Sequence, residues 1–393
     1  MNLLRRISTP KLIAVLVLPV VAVLITAVAV ASSRSGPKPP PRSLASALNS
    51  ALHAKPVAGF SARITFTNHL FPDGALTGSP LLAGASGRVW LSNDGRFRLE
   101  LQSGTGDTQI TGDGKTISVY DAAKGTLYRL ALPAHKAGAD HPKAMQRPHS
   151  FGVADIQRVL THLASRANLS GAIPGDIAGR PVYSFRISPS HDGGLLGAVQ
   201  LAWDSEHGVP LKLAVYSRGD SSPVLALTAT DVHYGAIPSS DLTVHAPASI
   251  KPTDITLPTT AGSSKQYGPK HSRISGAAAV ARALPFRLSA PGSLVGLPRK
   301  DVRLIATGDS RTGLVLYGQG LGTLAVFEQL ADTSSSARDP LAALPAISIN
   351  GARGHELATA LGTVIRVTSG GVTYTLVGSV PAVAAEAAAR AVS

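Results

Sequence analysis

The 393-residue sequence predicts an α+β protein made mostly of antiparallel strands. Between residues 59 and 234, apolar and polar side chains alternate in one run after another, which is typical of strands with one buried and one solvent-exposed face. Short turns rich in Gly, Asn and Asp separate these runs. Amphipathic helical stretches and a second, shorter series of strands complete the pattern. We therefore expect a large first domain over 43–250 and a smaller α+β domain over 276–393.

The first domain contains about ten predicted strands. In residues 59–67, Phe60, Ala62, Ile64 and Phe66 alternate with polar side chains, so one face of this strand is apolar. The later strands repeat the pattern at 87–92, 96–102, 107–111, 116–120, 126–132, 181–188, 196–204, 209–218 and 223–234.

Two helices are predicted in the same domain. Ser43 is a suitable N-cap for a helix whose apolar face carries Leu44, Leu48 and Leu52. The second helix, at 152–167, follows a loop rich in Pro and His, and its apolar side consists of Val153, Ile156, Val159, Leu160 and Leu163.

Residues 251–275 are rich in Pro, Thr, Ser, Gly and Lys, which predicts a linker. The domain beyond it begins with an alanine-rich helix at 276–284. Its strands are predicted at 302–306, 313–318, 323–329, 363–368 and 372–378, and a final helix starts at Val380-Pro381.

The segment from Leu12 to Ser33 contains no charged residue and is long enough to cross a hydrocarbon core of ~30 Å. Basic residues precede it, so residues 1–11 are expected in the cytoplasm and the bulk of the chain outside. A single-pass signal anchor in the cell membrane is the favoured interpretation. A cleaved signal peptide is the alternative, because Ala27-Val28-Ala29 fits a small-x-small cleavage site. The prolines of 34–42 then form a stiff spacer.

Charge and cysteine content exclude several classes of protein. The net charge is +14, but no long Lys/Arg run concentrates it and aromatic residues are few, so nucleic-acid binding is not expected. A basic protein beside the anionic surface of the cytoplasmic membrane is the simpler interpretation. The chain has no cysteine, which excludes disulfides, thiol nucleophiles and a lipid-modified N-terminal Cys.

Motifs that resemble catalytic sites are incomplete. Gly114-Lys115-Thr116 ends like a P-loop, but Gln109 stands where the loop needs glycine and a strand follows, so Asp113-Gly114 predicts a hairpin turn of type I′. His355-Glu356 begins like HExxH, but Thr359 replaces the second histidine. The glycines of the GxGxG stretch lie between two strands rather than before a helix, and no GxSxG occurs.

The remaining metal candidate is a loop with His135, His141 and His149, whose spacing fits no helix face; a solvated loop is the alternative. We therefore predict no catalytic residues, no metal site, no cofactor and no enzymatic activity.

Two stretches carry a resemblance to a known superfamily. They are DGRFRLELQSGTGDTQITGDGKTISVYDAAKGTLYRLALP at 94–133 and VPLKLAVYSRGDSSPVLALTATDVHYG at 209–235. Together they resemble the LolA/LppX/RseB superfamily of exported lipid- and lipoprotein-binding proteins over about 42–250. The resemblance implies an incomplete β-barrel with an apolar concave face and a helical lid. The C-terminal run from Gly354 to Val392 is similar to the small domains that end RseB-type regulatory proteins.

The resemblance and the alternation together predict a hydrophobic ligand cavity. Trp90 and Trp203 either line it or pack in the core. The predicted lining is Phe60, Ile64, Phe66, Trp90, Leu99, Leu101, Val119, Trp203, Leu213 and Val215. The favoured function is a membrane-anchored extracytoplasmic protein of the bacterial cell envelope that binds a lipid or acylated ligand, like a lipoprotein carrier. The alternative is an RseB-like sensor that binds an anti-sigma factor or another membrane protein.

Overall fold

The computed structural model describes residues 36–71, 80–104, 106–132, 153–165, 167–191, 194–255, 274–307, 310–331 and 344–393. The predicted anchor at 12–33 and the histidine loop at 133–150 lie outside these residues. Within the described ranges, no helix has both the length and the apolar character needed to cross a membrane.

The first sheet contains thirteen strands in the described part of the chain. They are β1 Gly59–Asn68, β2 Ala85–Ser92, β3 Phe97–Ser103, β4 Gly106–Gly112, β5 Thr116–Asp121, β6 Thr126–Ala131, β7 Ala167–Leu169, β8 Ile173–Ile177, β9 Arg180–Pro189, β10 Leu196–Asp204, β11 Pro210–Ser217, β12 Leu225–Tyr234 and β13 Pro252–Ile255. Their order is β13-β6-β5-β4-β3-β2-β1-β12-β11-β10-β9-β7, with β8 paired to β9.

The pairing in this sheet is antiparallel except between β13 and β6. Its two end strands, β13 and β7, do not pair with each other, so the described strands form an open, curled sheet rather than a closed barrel. The predicted fold class, α+β with mostly antiparallel strands, is confirmed. Clean alternation made this predictable, because a pleated strand sends successive side chains to opposite faces.

The turn between β4 and β5 is a hairpin, as expected, and not a phosphate loop. The Asp113 side chain accepts hydrogen bonds from the backbone N–H groups of Lys115 and Thr116, at 2.8 and 2.6 Å. Gly114 has a φ of 82°, but neither neighbour has positive φ. The prediction of type I′ was wrong, because that turn needs positive φ at both central positions.

Three helices accompany the first sheet in the described residues: α1 Leu44–Leu52, α2 Pro80–Ala83 and α3 Val153–Ala164. Ser43 caps α1 as predicted, since its hydroxyl accepts from the Ser46 N–H at 3.2 Å. The predicted apolar face of α3 is only partly buried. Ile156 is inside, whereas Val153 and Val159 are 45% and 56% exposed, because α3 packs on α1 and the short strand β7 rather than flat on the sheet.

The second sheet contains eight strands in the described residues. They are β14 Ser293–Leu294, β15 Leu297–Thr307, β16 Ser310–Tyr317, β17 Leu324–Leu330, β18 Ala346–Ile349, β19 Ala352–Thr359, β20 Gly362–Ser369 and β21 Val372–Gly378, in the order β14-β15-β16-β17-β21-β20-β19-β18. Helices α4 Ala277–Ala283 and α5 Ala382–Val392 cover one face. Small residues of α5 lie close to the sheet, and the core between them is separate from that of the first sheet.

The first sheet reaches into the range predicted as a linker, since β13 pairs with β6. Among the described residues, two hydrogen bonds also connect the loops of the two sheets. The N–H of Leu195 donates to the Ser379 hydroxyl at 2.8 Å, and the N–H of Ala360 donates to the Leu70 carbonyl at 2.8 Å. Gly194, with a φ of 60°, leaves no room for a Cβ beside Ser379. The domain boundaries themselves remain a prediction.

Candidate functional site

The inner face of the first sheet is the face that carries Ile64. Cross-strand pairing places Ala62 opposite Val89, Val89 opposite Leu99, and Leu99 opposite Ile110. Six of the predicted cavity residues lie on this face in one hydrophobic cluster and are at most 7% exposed: Phe60, Ile64, Phe66, Leu99, Leu101 and Val119. We call these six residues the closed part of the inner face.

The two tryptophans have different environments. Trp203 is buried beneath α1, where it contacts Tyr183 and Phe185 with ring centroids 6.3 and 5.9 Å apart. Trp90 points to the opposite, outer face of the sheet, because it follows Val89 in β2. Guanidinium groups of Arg88 and Arg98 lie 5.5 and 5.1 Å from its ring. Trp90 therefore does not belong to the cavity predicted from the sequence.

Leu213 and Val215 share the inner face with the closed part but are only half-buried. Leu213 lies between Leu201 and Leu227, and Val215 between Val199 and Leu225. Half-buried apolar side chains thus continue across four adjacent strands, and we call this group the open patch: Ile187, Val199, Leu201, Leu213, Val215 and Leu225. Its other four members were not predicted as site residues, although the alternation of their strands already placed them on an apolar face.

Helices α1 and α3 lie beside the open patch. Leu48 of α1 and Leu160 of α3 pack in the same cluster as Ile187 and Leu201. The outward side of α3 remains exposed at Val159. An amphipathic helix that packs loosely beside the open patch suits a lid over a bound ligand.

A polar network holds the end of β10 next to this region. Asp204 is 1% exposed and accepts from the N–H groups of Glu206 and His207 and, at 2.7 Å, from the Tyr234 hydroxyl. Burial alone would raise the pKa of Asp204, but these hydrogen bonds together lower it. The His207 ring stacks on Tyr234 with centroids 4.1 Å apart. The network fixes the turn after β10, and its groups are already satisfied by one another.

The second sheet buries one acidic side chain. Glu328 is 0% exposed; its Oε2 accepts from the Ser289 N–H at 2.9 Å, whereas Oε1 has no partner. Burial raises the pKa of Glu328 to about 7, although the Ser289 bond lowers it in part. This residue was not singled out in the sequence, because a single Glu at an inward strand position has no distinguishing pattern.

The incomplete motifs acquire structural explanations. His355 and Glu356 lie in strand β19, where side chains at successive positions point to opposite faces. The GxGxG stretch forms a short 3-10 turn at Gly320–Gly322 between β16 and β17. Among the described residues, no three His, Cys, Asp or Glu side chains are grouped so that they could hold a metal ion.

Comparisons with known proteins were made at three levels. No family model matches the chain, and no curated protein matches it. Among solved structures, the MucA/MucB complex of Pseudomonas aeruginosa is similar, with 16% identity, coverage of 88% of this chain and 96% of that chain, and a TM-score of 0.38.

Two other solved structures are similar to about half of this chain. LolA superfamily protein NE2245 from Nitrosomonas europaea has 14% identity, coverage of 52% and 98%, and a TM-score of 0.22. A putative outer membrane lipoprotein-sorting protein domain from Vibrio parahaemolyticus has 10% identity, coverage of 51% and 95%, and a TM-score of 0.22. These matches include the superfamily that the sequence resembles. At such identities and TM-scores they carry no argument about function, which is therefore argued from the site alone.

Proposed function

We propose that this chain is an extracytoplasmic lipid-binding protein that receives an acyl chain at the open patch. The observation that carries the proposal is the open patch itself: half-buried apolar side chains in register on β9, β10, β11 and β12, on a face that is otherwise closed. In a packed core such apolar side chains are fully covered, whereas in a ligand site they stay partly exposed until the ligand covers them.

The energetics suit an acyl chain. Each buried CH₂ contributes ~0.8 kcal/mol, so about ten methylene groups give roughly 8 kcal/mol before the cost of association. No precise set of hydrogen bonds is needed, because an acyl chain is apolar along its length. The lid helices α1 and α3 are positioned to cover the ligand, and the exposed Val159 offers further apolar surface.

The proposal extends to the cell envelope. The apolar segment 12–33, preceded by basic residues, would anchor the chain in the cytoplasmic membrane and leave both sheets outside. Carbonate washing of membranes tests this part separately: an anchored chain stays in the membrane fraction, and a soluble form that starts near Ser32 would contradict it.

Lipid binding is tested by mass spectrometry of organic extracts from the purified full chain, supported by displacement of a fluorescent fatty acid. The key variant is Leu213→Lys, which places a charge in the open patch. The matched control is Leu330→Lys, an exposed leucine of the second sheet. We expect Leu213→Lys to lose bound lipid and the control to retain it. Equal lipid recovery from both variants, with both folded, would contradict the proposal.

A second candidate function, partner binding, is favoured by the outer face of the second sheet. Its inward residues lie under α4 and α5, but the opposite face carries half-exposed apolar side chains on four adjacent strands: Leu314, Leu316, Phe327, Val364 and Val377. Such a face suits another protein. An anti-sigma factor is the partner that the RseB-like resemblance implies.

Phe327→Asp distinguishes the two functions. If the second sheet binds an anti-sigma factor, this variant loses co-purification of that protein while bound lipid is unchanged. Recovery of lipid alone from the unmodified chain would favour the carrier function and exclude the sensor.

A further inference from the structure

A cavity of about 590 Å³ lies on the outer face of the first sheet, on the other side of the same strands that carry the open patch. Its described lining comes from the end of β9, the start of β10 and the turn that follows β11. Three basic side chains line it, together with hydroxyl groups and glycine backbone: Arg186, His191, Arg218, Ser190, Ser217, Ser221, Gly197 and Gly219. No part of the lipid-binding proposal uses these residues.

Arg186 is held in a fixed orientation. Its guanidinium group lies 4.1 Å from the centre of the Tyr216 ring, and the Tyr216 hydroxyl donates to Gln200 Oε1 at 2.7 Å. A guanidinium group that stacks on an aromatic ring keeps its N–H groups free at the edge of its plane. Arg186 is therefore oriented without a described residue using its side-chain hydrogen-bond donors.

The described lining holds two arginines, one histidine and one carboxylate, Asp220, which accepts from the Ser217 hydroxyl. Neither Arg186 nor Arg218 forms an ion pair with a carboxylate among the described residues. In the polar cavity around Arg63 and Arg88, of about 430 Å³, Arg63 by contrast pairs with Asp231 at 4.0 Å.

The backbone at Leu195, beside this cavity, is also anchored. The Leu195 N–H donates to the Ser379 hydroxyl beside the second sheet at 2.8 Å, and the Arg218 N–H donates to the Leu195 carbonyl at 2.7 Å. The turn that carries Arg218 is thus tied to Leu195, and Leu195 to the neighbouring sheet. Such fixed positions reduce the entropy lost when a ligand binds.

We propose that this cavity binds a phosphate-type oxyanion, held by the guanidinium groups of Arg186 and Arg218. Arginine presents paired N–H donors whose spacing matches two oxygens of a phosphate group. The Ser221 hydroxyl can donate to a remaining oxygen. The volume accommodates the phosphate group and a small part of the molecule that carries it.

Calorimetry of the full chain with inorganic phosphate, at low ionic strength, tests the proposal. Arg218→Gln is the principal variant because its side chain stacks on nothing in the described structure, and Arg186→Gln is the second. The control is Arg129→Gln, an exposed arginine of β6. We expect each cavity variant to weaken phosphate binding by about tenfold or more, since a charge-assisted bond is lost. The control should leave binding unchanged.

A second arm identifies the source of the phosphate group. The same proteins are sedimented with phosphatidylcholine vesicles that contain, or lack, phosphatidic acid. Binding of inorganic phosphate that depends on Arg218 supports a free phosphate; binding only to phosphatidic acid vesicles, again dependent on Arg218, supports a lipid headgroup. If neither probe distinguishes Arg218→Gln from Arg129→Gln while both variants keep the melting temperature of the unmodified chain, the proposal is overturned.

Discussion

The two sheets bury their inner faces to different extents. In the second sheet, Val315, Leu324 and Ile365 have no exposed surface, and the same holds for Ala385 and Ala388 of the covering helix. In the first sheet the inner face is closed over β1–β5 and half-covered at the open patch, although Trp203 and Leu211, elsewhere on β10 and β11, are buried. The difference lies in the helices. Alanines let α5 lie close to its sheet, whereas α3 inserts Ile156 and leaves Val153 and Val159 outside. A close-packed helix makes a core, and a loosely packed one leaves room for a ligand.

The largest expected loss of folding stability would come from a charge introduced in the closed part of the inner face. Leu99 is 0% exposed, so Leu99→Lys buries an unpaired ammonium group and should destabilise the first domain by about 4 kcal/mol or more. Urea unfolding measures it. A folded variant with little loss of stability would mean that the cavity extends over β3, and the division into closed and open parts would fail.

The second sheet should respond to pH through Glu328. Its pKa rises from 4.5 to about 7 on folding, so the folded state binds the proton more tightly and stability falls as pH rises through this window. The full effect is about 3 kcal/mol. We expect Glu328→Gln to be more stable than the unmodified chain at pH 8 and similar at pH 5, by urea unfolding at both values.

The control for this experiment is Asp301→Asn in β15, where the carboxylate pairs with Arg303. This variant should leave the pH dependence as it is. An equal flattening of the pH dependence by both substitutions would show that Glu328 is not the group responsible.

The first sheet should respond to pH with the opposite sign through Asp204. Its folded pKa is lowered from 3.8, so the stabilisation is present above that value and is lost as pH falls through the lower folded pKa. Asp204→Asn removes the charge and part of the accepting capacity, and should cost about 2 kcal/mol at pH 7. Thermal unfolding of this variant beside Asp107→Asn, an exposed aspartate, measures the cost. If the two variants have nearly the same stability, the stabilising role assigned to Asp204 is wrong.

The smallest expected effect concerns Val215 in the open patch. Because the side chain is half-buried, the stem of a lysine can follow the apolar surface while its charge stays in water. Val215→Lys should therefore cost less than about 1 kcal/mol and yet reduce lipid recovery. Thermal unfolding of this variant, compared with that of Leu99→Lys, measures the loss of stability. Unfolding of both variants would show that the open patch is part of the core.

The alternation of side chains by itself determined the fold class and ten strands of the first sheet, each with an apolar and a polar face. It placed Ile64, Leu99 and Val215 on the apolar faces of their own strands, and helical spacing after a suitable capping residue found the cap at Ser43. Strands β7, β8, β13 and β18 were missed because three to five residues give too little periodicity, and β8 contains Pro174-Gly175. The two-residue β14 and the eight-residue β19 were also missed.

Only the tertiary structure decided which apolar residues are covered. Leu99 and Val215 have the same kind of sequence context, yet Leu99 is fully buried in the core and Val215 is half-buried. The physical reason is that alternation depends on each strand alone, whereas burial depends on how closely a distant helix packs on it. Arg186 and Arg218 line one cavity for the same reason, since strand pairing brings together residues that are far apart in the chain.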